Sequence, residues 1–155
     1  MTDQHVNDQV ANVVIRRMQA SDKQAWLDLW AGYNTFYKRS VTDTATNRTW
    51  NSLLAGNGEP YGYVAELDGK AVGFAHYFMT ISTSDDGPRC YLQDLFADPE
   101  VRGKGIGRAL IQAVYEDADQ HNASQTYWLT AEDNLTARKL YDAVANKTPF
   151  IKYAR

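Results

Sequence analysis

YLQDLFADPEVRGKGIGRAL, residues 91–110, is the stretch that decides the fold. Tyr91 to Ala97 alternates and is rich in aromatic and aliphatic side chains, the pattern of a pleated strand. Asp98-Pro99 ends it. Arg102-Gly103-Lys104-Gly105-Ile106-Gly107 follows, and an apolar-periodic segment begins at once. Glycines at 103, 105 and 107 let the backbone approach a ligand closely and turn its N–H groups inward. The next helix adds unpaired N–H groups and the positive end of its dipole. Together these make an anion site suited to a phosphate or pyrophosphate. Arg102, Lys104 and Arg108 supply mobile positive charge around it. Glycines also serve such junctions simply as turn formers, so spacing must discriminate. The dinucleotide fingerprint G-x-G-x-x-G fails at its third glycine. The Walker loop fails because Gly105, not a hydroxyl residue, follows Gly103-Lys104.

Outward from this stretch the chain alternates strands and helices. Residues 1–11 are polar, and their composition predicts a flexible end. Asn12 to Met18 reads as a strand. Ser21-Asp22 is an N-cap signal for a helix carrying Trp26, Leu29, Trp30 and Tyr33 at helical spacing. Thr42 to Leu54 reads as a second helix, closed by Ala55-Gly56-Asn57-Gly58. Tyr61–Leu67 and Ala71–Ile81 flank Asp68-Gly69, a hairpin signal. After the glycine loop a helix runs to about His121, then a strand over Gln125–Thr130, a helix over Asn134–Ala145 and a short strand over Phe150–Tyr153. The hairpin-linked strands should be antiparallel, and the strand–helix–strand unit over 91–130 parallel and right-handed. The fold class is α/β in one domain spanning 1–155, a mixed, mostly antiparallel sheet with helices on both faces. A splayed pair of neighbouring strands would open a cleft beside the glycine loop.

The chain has 155 residues, 44% of them hydrophobic, which suffices for a single core. A net charge of −3 argues against general nucleic-acid binding. A lone cysteine, Cys90, rules out an internal disulfide and fits a reducing, cytoplasmic setting. Its place at the start of a strand suits a small core residue better than a nucleophile. No apolar run has the length of a membrane span, and the polar N-terminus has no signal-peptide core.

Asn134, Arg138 and Tyr141 lie along one stripe of the last helix, beside an apolar stripe of Ala137, Leu140 and Val144. Such a pair of stripes suits either a ligand-facing edge or a solvated one. The aromatic run Trp26, Trp30, Tyr33, Phe36 and Tyr37 exceeds what one narrow stripe buries. Tyr33, Phe36 and Tyr37 are therefore candidates for lining an acceptor pocket, where aromatic faces suit an ammonium group.

Arg102, Gly105 and Gly107 fill the pattern [QR]-x-x-G-x-[GA]. The segment from Tyr91 to Tyr141, with YWLTAEDN and ARKLYD after the loop, resembles the GNAT superfamily of N-acetyltransferases. WLDLWAGYNTFY and FIKY are similar to its branch of histone and polyamine acetyltransferases. The resemblance implies acetyl-CoA as cosubstrate, held at its pyrophosphate by the backbone of Arg102, Gly103, Lys104, Gly105, Ile106, Gly107 and Arg108. It implies that Leu95, Phe96 and Ala97 lie beside the pantetheine, with N–H groups near the thioester oxygen. It makes Asn134 and Arg138 CoA contacts and Tyr141 the acid that protonates the leaving thiolate. These roles fit the chemistry. Amine attack on a thioester builds an oxyanion that an aimed N–H stabilises. A thiolate of pKa ~8.5 can take a proton shared by a phenol of pKa ~10. No metal is required.

The implied activity is transfer of acetyl from acetyl-CoA to a primary amine of a small molecule or peptide: a polyamine, a lysine side chain or an amino-acid amine. The alternative is a GNAT-fold acyl-CoA sensor without turnover. Two departures stand out. Polyamine relatives carry a glutamate base on the central strand, and Gln93 takes that position here. Gln93 cannot accept a proton, though its amide can orient a water. Asp94 is adjacent, but strand alternation points it to the opposite face. His76, Glu66 or a chain of waters are the remaining routes. The second departure is at the C-terminus, where the usual terminal hairpin is shortened to one strand. The resemblance still admits a homodimer.

Overall fold

Asp68 and Gly69 turn the chain with φ of 50° and 80°, and this tight turn sets the register of the sheet. Both left-handed positions match the hairpin turn that follows the twist of its strands. In the computed structural model, which describes residues 12–101 and 103–155, the turn joins β2 (Tyr61–Leu67) to β3 (Lys70–Thr80). The flexible end expected at 1–11 and the role expected of Arg102 lie outside the described residues. β1 (Val13–Arg16) and β4 (Arg89–Ala97) add antiparallel on either side, and β5 (Gln125–Tyr127) adds parallel to β4. The sheet order is β1-β2-β3-β4-β5, mixed and mostly antiparallel as the sequence predicts.

Among the described residues, four α-helices cover the two faces. α1 (Lys23–Phe36) and α2 (Asp43–Ala55) bring Trp26, Leu29, Trp30, Tyr33, Trp50 and Leu53 onto Val64 and Phe74. Thr42 caps α2 by accepting from the Ala45 N–H, and Gly56 closes it at φ 63°. α3 (Ile106–Gln120) lays Ile106, Leu110, Ile111, Val114 and Ala118 on Ala65, Val72, Ala75, Tyr77 and Leu92. α4 (Leu135–Val144) packs against this second cluster through Leu140, Tyr141 and Val144. Full burial of an apolar side chain contributes ~1.5–3 kcal/mol, so these two layers supply most of the stabilisation. Cys90 is fully buried in the α3-side core, and burial pushes its thiol up to about 11. It is a packing residue with an inert thiol.

Two expectations fail. Phe150–Tyr153 forms no strand, and Phe150, Ile151 and Tyr153 are 88%, 75% and 87% exposed. A strand needs a neighbour to complete its ladder, and none of the described strands pairs with this segment. The strand expected over Gln125–Thr130 stops at Tyr127. β4 and β5 pair only over Arg89–Tyr91 and Gln125–Tyr127, and beyond these positions they part. A cleft opens where the two strands part.

Candidate active site

The parting of β4 and β5 leaves a cleft of about 400 Å3. β4 contributes Tyr91, Leu92, Gln93 and Leu95 to one wall. Trp128 to Ala131, continuing from β5, make the other. From Leu92 onward β4 has no strand on its outer side, so backbone groups on that edge face the opening. Tyr33 and Tyr37, one turn apart on α1 and just beyond it, close one end together with Arg39. Tyr141 of α4 and Lys152 of the C-terminal segment complete the lining.

Tyr141 is therefore in the cleft, its ring 5.3 Å from that of Trp128 in a T-shaped contact. Burial, with a smaller contribution from Tyr37, pushes its hydroxyl up to about 12, so it keeps its proton across physiological pH. Gln93 lines the same cleft. Of the three aromatic candidates, Tyr33 and Tyr37 belong to it and Phe36 does not. Phe36 is 56% exposed, because it is offset around α1 from the face that Tyr33 and Tyr37 share.

The glycine loop lies past the end of β4. Gly103 and Gly105 have φ of 77° and 73°, values that only glycine adopts without strain. A Cβ at either would meet nothing within 4 Å, so the backbone there borders open space. Gly105 is the N-cap of α3, and its carbonyl accepts the Ala109 N–H. The N–H groups of the first turn, at Ile106, Gly107 and Arg108, are left pointing out of the helix end. This cradle fits a pyrophosphate, with Lys104 and Arg108 exposed beside it. Two residues named for it by sequence have other duties as side chains. Ile106 is buried in the core, so only its backbone is available to a ligand. A Cβ on Gly107 would come within 3.1 Å of Leu140, so Gly107 permits the close packing of α3 on α4.

Leu95 and Ala97 pack toward the α3 side, and Leu95 reaches the cleft. Phe96 points the other way, into the aromatic cluster, with its ring 5.9 Å from Tyr33. Asn134 is the N-cap of α4, just outside the helix, and donates to Thr130 Oγ1 at 3.2 Å. Arg138 donates to the carbonyl of Glu132 at 2.6 Å. These two lie on the loop leading into α4 and on its first turns, next to the wall formed by Thr130 and Ala131, rather than in the cleft lining.

Beneath the cleft lies a polar network. His76 and Asp94 face each other across β3 and β4, with a bulge at the next step that shifts the register between His76 and Tyr77. Strict alternation along β4 ends there: Leu92 and Leu95 both face the α3 side, and Asp94 turns toward Tyr33 of α1. It is buried, and it accepts from Tyr33 Oη at 2.9 Å and from His76 Nδ1 at 3.0 Å, while Arg39 Nη2 stands 3.6 Å away. Trp26 Nε1, a donor only, bonds His76 Nε2 at 3.1 Å. That bond requires a lone pair on Nε2, so the imidazole is neutral and carries its proton on Nδ1. Burial works to raise the Asp94 carboxyl; the bonds from His76 and Tyr33 and the charge of Arg39 outweigh it and hold it below the ordinary range. Burial and Asp94 push the Tyr33 hydroxyl well up.

The network removes His76 from the list of bases: it is fully buried, with both ring nitrogens engaged. Glu66 is removed as well, since it sits on β2 and accepts from Arg16 at 2.9 Å. Sequence reasoning also passed over Arg39, Tyr91, Trp128 and Lys152. A signal for the network existed in a histidine and an aspartate set in otherwise apolar strands. No periodicity marks Arg39 or Lys152, which lie in irregular segments.

The sequence model of the Acetyltransferase (GNAT) family matches residues 23–145. The chain is 32% identical over 152 residues to the D-amino-acid N-acetyltransferase HPA3 of Saccharomyces cerevisiae, covering 97% of this chain and 92% of that protein. It is 35% identical over 92 residues to the thialysine N-epsilon-acetyltransferase of Bos taurus, covering 59% of this chain and 50% of the relative. Among solved structures, AAC(6')-Iy in complex with the bisubstrate analog CoA-S-monomethyl-acetylneamine superposes with a TM-score of 0.75 at 20% identity, over 94% of this chain and 98% of that one.

Proposed function

The chain belongs to the acetyltransferase (GNAT) family and is an N-acetyltransferase, and from that premise we propose that it moves the acetyl group of acetyl-CoA to the primary amine of a small molecule in the β4/β5 cleft. The observation that carries this reading is the meeting of Tyr141 and Gln93 in one cleft at the open edge of β4. Acetyl-CoA, when bound, supplies an activated acetyl group. The first-turn N–H groups of α3 and the backbone of Gly103–Gly105 would hold its pyrophosphate. The outer edge of β4 around Leu95 would align the pantetheine arm. Asn134 and Arg138 are further candidates for CoA contacts.

The chain's own residues then manage two protons. Tyr141 holds one at its Oη and is placed to give it to the departing sulfur. A hydroxyl raised to about 12 is a reluctant acid but a permanent donor, which is what a developing thiolate needs. The acceptor's proton has no carboxylate or free imidazole to go to among the described lining residues. Gln93 would orient a water to take it, and Tyr33, Tyr37 and Tyr91 offer further hydroxyls along the way. An alkyl amine has a pKa of ~10.4, so the rate should climb with pH toward that value. The named relatives act on a D-amino acid or on thialysine, both small amines, and the acceptor here is taken from the same class. A homodimer, which would cover some of the exposed Phe150–Tyr153 segment, is a further proposal that sedimentation equilibrium can read.

The test is thiol release from acetyl-CoA with a panel of amino acids, polyamines and basic peptides. The reading expects release above the hydrolysis background with at least one small amine. Release that no amine in the panel stimulates would overturn it.

A further inference from the structure

Resting on the acetyl-transfer reading, we propose that Arg39, assisted by Lys152, reads a carboxylate on the acceptor, so that the acceptor is an amino acid rather than a polyamine. The charges lining the cleft point this way. Arg39 and Lys152 are its only ionised side chains at neutral pH among the described lining residues, and both are cations. An acceptor with several ammonium groups would meet no counter-charge there. Asp94, the nearest carboxylate, is 3% exposed, and both of its oxygens already accept hydrogen bonds.

Arg39 is also built as a rigid reader. Its backbone N–H donates to the Asn34 carbonyl at 2.9 Å, and its Nε donates to Asn34 Oδ1 at 2.9 Å. Asn34 is fixed in turn by donating to the Trp30 carbonyl at 2.8 Å. The guanidinium lies 4.9 Å from the Tyr33 ring centroid and 5.5 Å from that of Trp30. A guanidinium held this way loses little freedom on binding, and its planar fork matches a carboxylate. Its charge is only partly answered, because Asp94 Oδ1 at 3.6 Å is beyond hydrogen-bond range. Nη1 donates to none of the described residues, and the side chain is 39% exposed. An incoming carboxylate can take these remaining N–H groups in a charge-assisted bond. Lys152 offers a second, more mobile positive charge to the same group.

A purely structural Arg39, serving as counter-ion to Asp94, would affect every acceptor equally when replaced. A carboxylate reader affects only acceptors that carry the carboxylate. The experiment therefore compares matched pairs. Alanine, methionine and lysine, in both enantiomers, are each paired with their own carboxamide. Binding to the CoA-loaded protein is measured by calorimetry, and kcat/KM by thiol release from acetyl-CoA. The wild type should prefer the best-bound amino acid over its carboxamide by about tenfold or more. Arg39→Gln should bring that ratio to within about twofold, the loss on the amino acid exceeding any loss on its carboxamide, and Lys152→Met should lower it partway. Arg39→Lys keeps the charge beside Asp94, loses the fork and should give an intermediate ratio should Arg39→Gln fail to fold. Wild-type ratios near one, absence of binding by every amino acid, or a preference that survives in Arg39→Lys and Lys152→Met alike would overturn the proposal. Preferential binding of the amino acid without thiol release would instead overturn acetyl transfer and leave the carboxylate reader standing.

Discussion

Asp94 is a buried carboxylate on which two donors and the charge of Arg39 converge, and its neighbours decide what each polar residue of the site can do. His76 is held neutral between Trp26 and Asp94, and Tyr33 is aimed by the same carboxylate. Removing one partner of such a group leaves the others desolvated and unpaired, which costs more than the bonds themselves contribute. Asp94→Ala should lower the free energy of unfolding by ~3–5 kcal/mol in denaturant titrations. A loss under ~1 kcal/mol would mean that water replaces the carboxylate and that the network is not a structural unit. Trp26→Phe keeps an aromatic side chain, but it replaces the indole by a smaller ring and removes its N–H donor. It leaves His76 Nε2 a buried acceptor without its donor, so the variant should also lose ~1–3 kcal/mol in the same titrations, and unchanged stability would mean that water supplies the bond.

The loop between β4 and α3 works as an element because two of its glycines face open space and the third faces α4. Asparagine tolerates a left-handed backbone better than other residues with a side chain. Gly105→Asn should therefore fold and yet place its side chain into the cradle. Calorimetry should show CoA affinity lost by at least tenfold with the thermal midpoint little changed; unchanged affinity in the folded variant would remove the loop from the CoA site. This element was legible in sequence because strand, turn and helix each carry local signals: alternation to Ala97, Asp98-Pro99, glycines, then period 3.6. The hairpin at Asp68-Gly69 was legible for the same reason. The bulge opposite His76–Tyr77 was not, since no glycine or proline marks it and it arises from how β3 and β4 fit together. The terminal segment misled because Phe150–Tyr153 has a strand's composition without a partner in the chain. Phe36 misled because composition put it with Tyr33 and Tyr37 while the rotation of α1 put it elsewhere.

Across the whole molecule, two cores hold the sheet from opposite faces, and the site sits where the sheet comes apart between them. Polar groups buried in both cores tie its stability to pH. A carboxyl held below its unfolded value stabilises above that value and ceases to as pH falls through the folded value. Asp94 and Asp22, both lowered, thus predict loss of stability below about pH 4. A buried phenol held above its unfolded value stabilises below ~10 and ceases to as pH rises through the folded value. Tyr141, raised to about 12, predicts a falling thermal midpoint over the interval between its unfolded and folded values. Tyr33 and Tyr77, raised further, add to the fall. Tyr141→Phe should flatten part of the alkaline slope and leave the acid limb unchanged; an identical alkaline limb would place the Tyr141 hydroxyl in water. The central claim is acetyl transfer to nitrogen in the β4/β5 cleft with Tyr141 as the acid. Its most direct measurement follows acetyl-CoA labelled at the acetyl carbonyl carbon by NMR, mixed with the best amine acceptor, in the wild type and in Tyr141→Phe. The account predicts that the label moves from thioester to amide, and that the rate falls ~10²–10⁴-fold in Tyr141→Phe with CoA affinity retained. Label that stays in the thioester or appears as free acetate, or an undiminished rate in Tyr141→Phe, would contradict it.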